Sequence, residues 1–108
     1  MTAATMAQFD VFVNPFRGAR PNFPFVIAMQ SDVAVSPAYL MVAPVATRGA
    51  FLGGGRLTPK VEIEGKDRLV LVPHMTVIQS RDLETPIGSV AQARSELLAA
   101  IDLLFFGV

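Results

Sequence analysis

The stretch "KVEIEGKDRLVLV", residues 60–72, constrains the fold more than any other part of the chain. Val61 and Ile63 alternate with Lys60, Glu62 and Glu64, the period of a strand with one buried face. Gly65 supplies a short turn and "RLVLV" brings the chain back, which predicts an antiparallel hairpin. A chain committed to such a hairpin needs partner strands, and residues 9–80 read throughout as strands and turns.

In "FDVFVN", Phe9, Val11 and Val13 alternate with other residues, predicting a strand with one buried face. "NPFRGARPNFP" is dense in Pro, Gly and Asn and reads as a loop. "FVIAMQ" is a second strand, and "QSDVAVSPAY" turns the chain through Asp32, Ser36 and Pro37. "LMVAPVA" is nearly continuous in apolar residues, so it is buried on both faces or covered by a partner. Pro44 within it predicts a bulge or an edge position. "GAFLGGGRLTP" reads as a flexible crossing, and "MTVIQS" after Pro73 predicts one more short strand. No internal repeat or low-complexity segment is present.

The only long helical pattern starts near Ser89. "SVAQ" offers a capping box, with Ser89 as N-cap and Gln92 three residues on. At ~100° per residue, Val90, Leu97, Leu98, Ile101, Leu104 and Phe105 share one face, which predicts their burial against the sheet. Arg94 projects to that face as the exception, its charged head reaching the rim. Gln92, Ser95, Ala99, Asp102, Leu103 and Phe106 occupy the opposite half. Leu103 and Phe106 therefore form an exposed apolar pair beside the chain end, the pattern of a protein contact. Gly107 fits the position that stops a helix.

Composition bounds the chemistry. At 108 residues the chain is read as one domain, 52% apolar and only 17% charged, against ~25% charged in ordinary globular chains. That excess of apolar residues fits either a homo-oligomer with an apolar interface or a compact, rather apolar monomer. Nine basic and nine acidic side chains cancel, and the arginines are scattered without a basic run. Direct nucleic-acid binding is not expected from such a balance. With no cysteine there is no disulfide, thiolate zinc site or cysteine nucleophile, which fits a cytoplasmic location. "MTAATMAQFD" does not read as a secretory leader, and "LLAAIDLLFFGV" is too short to span a bilayer and is broken by Asp102.

Catalytic signatures are sparse. His74 is the sole histidine and reads as a loop or structural residue. "GGGR" lacks the Lys-Ser/Thr ending of a phosphate loop. Glu62 and Glu64 alternate along a strand as its solvated face. No catalytic residue, metal ligand or cofactor site is expected. An acid–base ribonuclease would need little more than His74, Glu84 and the arginines, so RNA cleavage stays open as an enzymatic alternative.

Three stretches resemble the CcdB family, the toxins of plasmid and chromosomal toxin–antitoxin pairs that poison DNA gyrase. "QFDVF" resembles the opening strand of that family. "QSDVAVSP" followed by "LMVAPVA" resembles its Gln-Ser-Asp turn, proline and Met-Val-x-Pro strand. "AIDLLFFGV" resembles its ending, Ile-Asn-Leu-x-Phe-Trp-Gly-Ile. The resemblance runs from about Gln8 to Val108, so residues 1–7 are expected to be a mobile extension of a single 1–108 toxin domain.

The resemblance implies a mainly β fold, an SH3-like barrel and antiparallel sheet with a C-terminal α-helix, of the type shared with MazF/Kid toxins. It further implies a homodimer whose chain ends enter the cleft of the gyrase A subunit and stabilise the cleaved DNA complex, without chemistry of their own. A disordered C-terminal antitoxin segment would bind the toxin and strip it from gyrase. The implied gyrase-facing residues are Phe106, Gly107 and Val108, then Asp102 and Leu103, and Val33 and Ala34 after the Gln-Ser-Asp turn. Phe106 stands where the family has a tryptophan that stacks on a gyrase arginine, and Asp102 stands where it has an asparagine. Tyr39 and Leu40 replace a basic pair. Besides the MazF/Kid-like endoribonuclease, a second alternative is a homologue that binds antitoxin and no longer poisons gyrase.

Overall fold

The computed structural model describes residues 7–31, 38–47 and 55–107. Among them run strands β1 (Asp10–Val13), β2 (Phe25–Ala28), β3 (Tyr39–Ala46), β4 (Lys60–Ile63), β5 (Lys66–Val70), β6 (Thr76–Gln79) and β7 (Gly88–Ser89), then helix α1 (Arg94–Phe106). The strands form one seven-stranded antiparallel sheet in the order β4-β5-β3-β2-β1-β7, with β6 also paired to β3. The sheet curls into a nearly closed barrel with α1 as its C-terminal helix, the fold the sequence implies. Three sequence readings, most of the 1–7 extension, the turn through Asp32, Ser36 and Pro37, and most of the "GAFLGGG" crossing, lie outside the described residues.

The β4–β5 hairpin turns on Glu64 and Gly65, both at positive φ (54° and 75°), with Ile63 facing Lys66. Positive φ at both central residues makes a two-residue turn whose twist matches that of the strands. Gly65 adopts it freely, whereas Glu64 pays a small steric cost.

β3 is the spine of the sheet. Its first half, Tyr39–Val42, pairs with β6, its end pairs with β5 at Val45 and Ala46, and its other side pairs with β2. Pro44 is neither at an edge nor at a bulge. It faces Val26 in register and accepts from Leu71 N–H at 2.9 Å. A strand residue points its N and its C=O to the same side. The missing donor of Pro44 therefore falls on the side where β3 changes partner from β6 to β5, beside a 3-10 turn at Val72–His74. No ladder bond is lost there.

Two apolar layers lie on opposite faces of the central strands. Phe9, Val11, Phe25, Ile27, Val45, Val61, Ile63, Val70, Val72 and Val90 form the larger one, closed by Leu97 and Ala100 of α1. Phe12, Val26, Ala28, Leu40, Val42 and Ile78 form the other, with Leu83 packed against it. β1 is thus buried on both faces, not one: Phe12 is fully buried while Val13 is only half-buried. A buried side chain of this size contributes ~1.5–3 kcal/mol, so the second layer matters to stability.

Asn14 is the one polar residue buried as a whole among the described residues, and it organises the loop between β1 and β2. Its Nδ2 donates to Phe23 O at 2.7 Å and its Oδ1 accepts from Phe16 N at 2.9 Å. Its own carbonyl accepts from Arg20 Nε at 2.7 Å. Every polar atom of this buried group has a partner, so its desolvation is compensated.

Candidate functional site

α1 is held at its start. Val90 N donates to Phe9 O at 2.9 Å and Ile87 N to Val11 O at 2.8 Å, drawing the segment before the helix into the β1 ladder. Ser89 is consequently a strand residue opposite Asp10, and the α-helix begins at Arg94 after a 3-10 turn at Ala91–Ala93. The predicted capping box does not form. Ser89 Oγ accepts instead from Ala91 N at 3.1 Å, a local turn bond that competes with helix capping.

One side of α1 faces the barrel through fully buried Leu97 and Ala100, with Leu98 and Ile101 half-buried beside them. The expected burial of Leu104 and Phe105 does not hold. Leu104 is 36%, Phe105 64% and Phe106 74% exposed. The helix period gives the direction of a side chain, not the distance to which the core extends along the axis, and the last turn projects beyond it. Three consecutive apolar side chains therefore stand in solvent at one helix end.

Gly107 ends the helix at φ 74°, and its N–H donates to Leu103 O at 3.0 Å. A left-handed residue costs glycine nothing, and the bond satisfies one of the carbonyls left over at a helix C-terminus. The final turn is thus a defined platform. Phe106 and Asp102 are exposed on it and Leu103 is half-buried. Asp102 adds a negative charge where the helix dipole is already negative, an unfavourable placement. Asp102, Leu103, Phe106 and Gly107 are brought together by this one element. Val108, Val33 and Ala34 lie outside the described residues.

Leu104 and Phe105 were not among the candidate residues, and they enlarge the surface. The signal for them was present: "LLAAIDLLFF" is apolar nearly all round, and such a helix is either deeply buried or covered by a partner. His74 sits exposed on the 3-10 turn against which α1 packs, and Glu84 is exposed after β6. Among the described residues no group of three or more His, Asp or Glu side chains is placed to hold a metal ion. No helix there is long and apolar enough to cross a membrane.

A curled antiparallel barrel with a capped helix end defines a small barrel-and-helix protein that exposes Leu104, Phe105 and Phe106 at the end of its C-terminal helix. The sequence matches the CcdB family, described as CcdB protein, over residues 8–107, and the chain belongs to that family. Membership supports its assignment as the toxin of a toxin–antitoxin pair. No curated protein sequence matches it significantly.

Proposed function

We propose that this protein is a toxin that binds the DNA gyrase A subunit through its helix end and traps the cleaved gyrase–DNA complex. The observation that carries the proposal is Phe106, which sits on the capped last turn with most of its ring in solvent. It occupies the aromatic position of the family's terminal motif. In this reading the toxin does no covalent chemistry and needs no metal or cofactor; it acts in the cytoplasm, where gyrase works, as in plasmid maintenance. It stabilises a state in which the enzyme has already cut DNA, so breaks accumulate because resealing is blocked. A disordered segment of the cognate antitoxin reverses the inhibition.

Phe106 serves as an aromatic platform for a cation on gyrase. Such contacts are worth ~0.5–1 kcal/mol when exposed and more when desolvated, and tryptophan is the strongest partner. Replacing Phe106 with tryptophan should therefore tighten the complex.

The active species is a homodimer, which presents two chain ends to a two-fold symmetric enzyme. The half-buried flank of Leu98 and Ile101, continued by exposed Leu104 and Phe105, supports a second copy packing along α1. Sedimentation at micromolar concentration tests this: a dimer is expected, and a monomer alone would contradict it. Pull-down of purified gyrase A subunit by the parent and by Phe106→Ala tests the contact. Binding by the parent, lost in the variant, is the expected result.

A further inference from the structure

β6 is paired on one side only. Tyr39, Leu40, Met41 and Val42 of β3 face Gln79, Ile78, Val77 and Thr76 in register, and Ser80 N donates to Ala38 O at 2.9 Å. In an antiparallel ladder every second pair exchanges hydrogen bonds, so this bond sets the phase. Ile78 and Thr76 direct their backbone groups toward β3. Val77 and Gln79 direct theirs away, and among the described residues no backbone bond reaches them.

An open strand edge is normally defended by charge, proline or a bulge. The β4 margin, reached through β5 on the same side of β3, follows that rule: Lys60 and Glu62 alternate along β4, and Lys60 pairs with Asp67 at 3.7 Å. β6, Thr-Val-Ile-Gln, carries no charge and no proline. Beside it, Val77 and Tyr39 are each 53% exposed on the same face. At the end of that face Arg81, Ala38, Tyr39 and Gln79 line a cavity of about 250 Å³. Arg81 forms no ion pair among the described residues.

We propose that the β6 edge is a binding site for an extended acidic–apolar peptide segment, which adds as an antiparallel strand. Its main chain bonds Val77 and Gln79. The residue opposite Val77 is apolar and packs on that side chain, and the residue opposite Gln79 carries a carboxylate for Arg81. The two recognition residues are two positions apart because strand side chains repeat every second residue. This site shares no residue with the helix end, and the proposal does not depend on the gyrase reading.

The test uses the full chain and the synthetic peptide acetyl-Thr-Thr-Asp-Thr-Val-Thr-Thr-amide, followed by amide NMR shifts and hydrogen exchange. With peptide at about ten times its Kd, the Val77 and Gln79 amides should exchange about tenfold more slowly. N-methylation of the peptide at Asp and Val removes donors aimed at β6 and should abolish binding. N-methylation at the central Thr, whose N–H points outward, should not. Arg81→Ala, or Asn for Asp in the peptide, should weaken binding about twofold to fivefold. Equal binding by all N-methylated forms, or shifts confined to residues outside β6 and Arg81, would overturn the proposal. So would Val77 and Gln79 amides that are already protected in the free protein and lose protection on dilution, since two copies would then be pairing edge to edge.

Discussion

The Arg94 guanidinium donates to Gln8 Oε1 at 3.0 Å, and Gln8 Nε2 in turn donates to Met29 O at 3.1 Å. The first residue of α1 is thereby tied to the approach to β1 and the exit of β2, with Arg94 also 6.0 Å from the centre of the Phe9 ring. The helix that carries the candidate site is fastened where it begins and uncovered where it ends.

This tether predicts coupling. Arg94→Ala and Gln8→Ala should each cost about 1 kcal/mol, and the double variant should cost less than their sum by ~0.5 kcal/mol or more. Denaturant melts of the three variants measure it. Strict additivity would show that the two side chains do not act together.

Asn14→Ala should be costlier, at about 2–4 kcal/mol, because it leaves the Phe23 carbonyl and the Phe16 N–H without their partner. The same melts check it, and a loss under ~1 kcal/mol would mean that solvent reaches both groups.

The opposite sign is expected at Ser80, whose Oγ is buried with no hydrogen-bond partner among the described residues. Ser80→Ala removes that orphan hydroxyl and should be neutral or stabilising by up to ~1 kcal/mol. A clear fall in Tm would indicate that the hydroxyl is satisfied in solution.

Most strands were legible because their period and their breakers agree. Val61 and Ile63 alternate, Gly65 turns the chain, and the hairpin forms where expected. The failures share one cause, which is that local pattern does not report tertiary competition. Ser89 and Gln92 have the spacing of a capping box, yet the β1 ladder takes Ser89 as a strand residue. Pro44 suggests an edge until β3 is seen to exchange partners beside it. Phe12 looks like the open side of a strand, and only the chain returning through Ile78 and Leu83 covers it. At the site, the exposed Phe106 was readable from helical phase. Phe105 was not, because phase cannot say where the core ends.

The two phenylalanines therefore have similar weight in the isolated fold. In dilute protein, Phe105→Ala and Phe106→Ala should each change stability by less than ~1 kcal/mol, as surface substitutions do. Leu97→Ala, at the buried contact of α1, should cost ~2–5 kcal/mol. If Phe105→Ala destabilises only at concentrations where copies associate, the ring is covered by the second copy. A large loss at every concentration would place it in the core of the monomer.

The central claim is that the helix end traps gyrase on cut DNA. The direct measurement is cleavage of supercoiled plasmid by purified gyrase, stopped with detergent and protease, with and without the protein. Linear DNA should accumulate when gyrase, DNA and the parent protein are all present, should fall to background with Phe106→Ala, and should be absent without gyrase. No rise in linear DNA with the parent, together with cleavage of RNA in the absence of gyrase, would contradict the account and favour a ribonuclease.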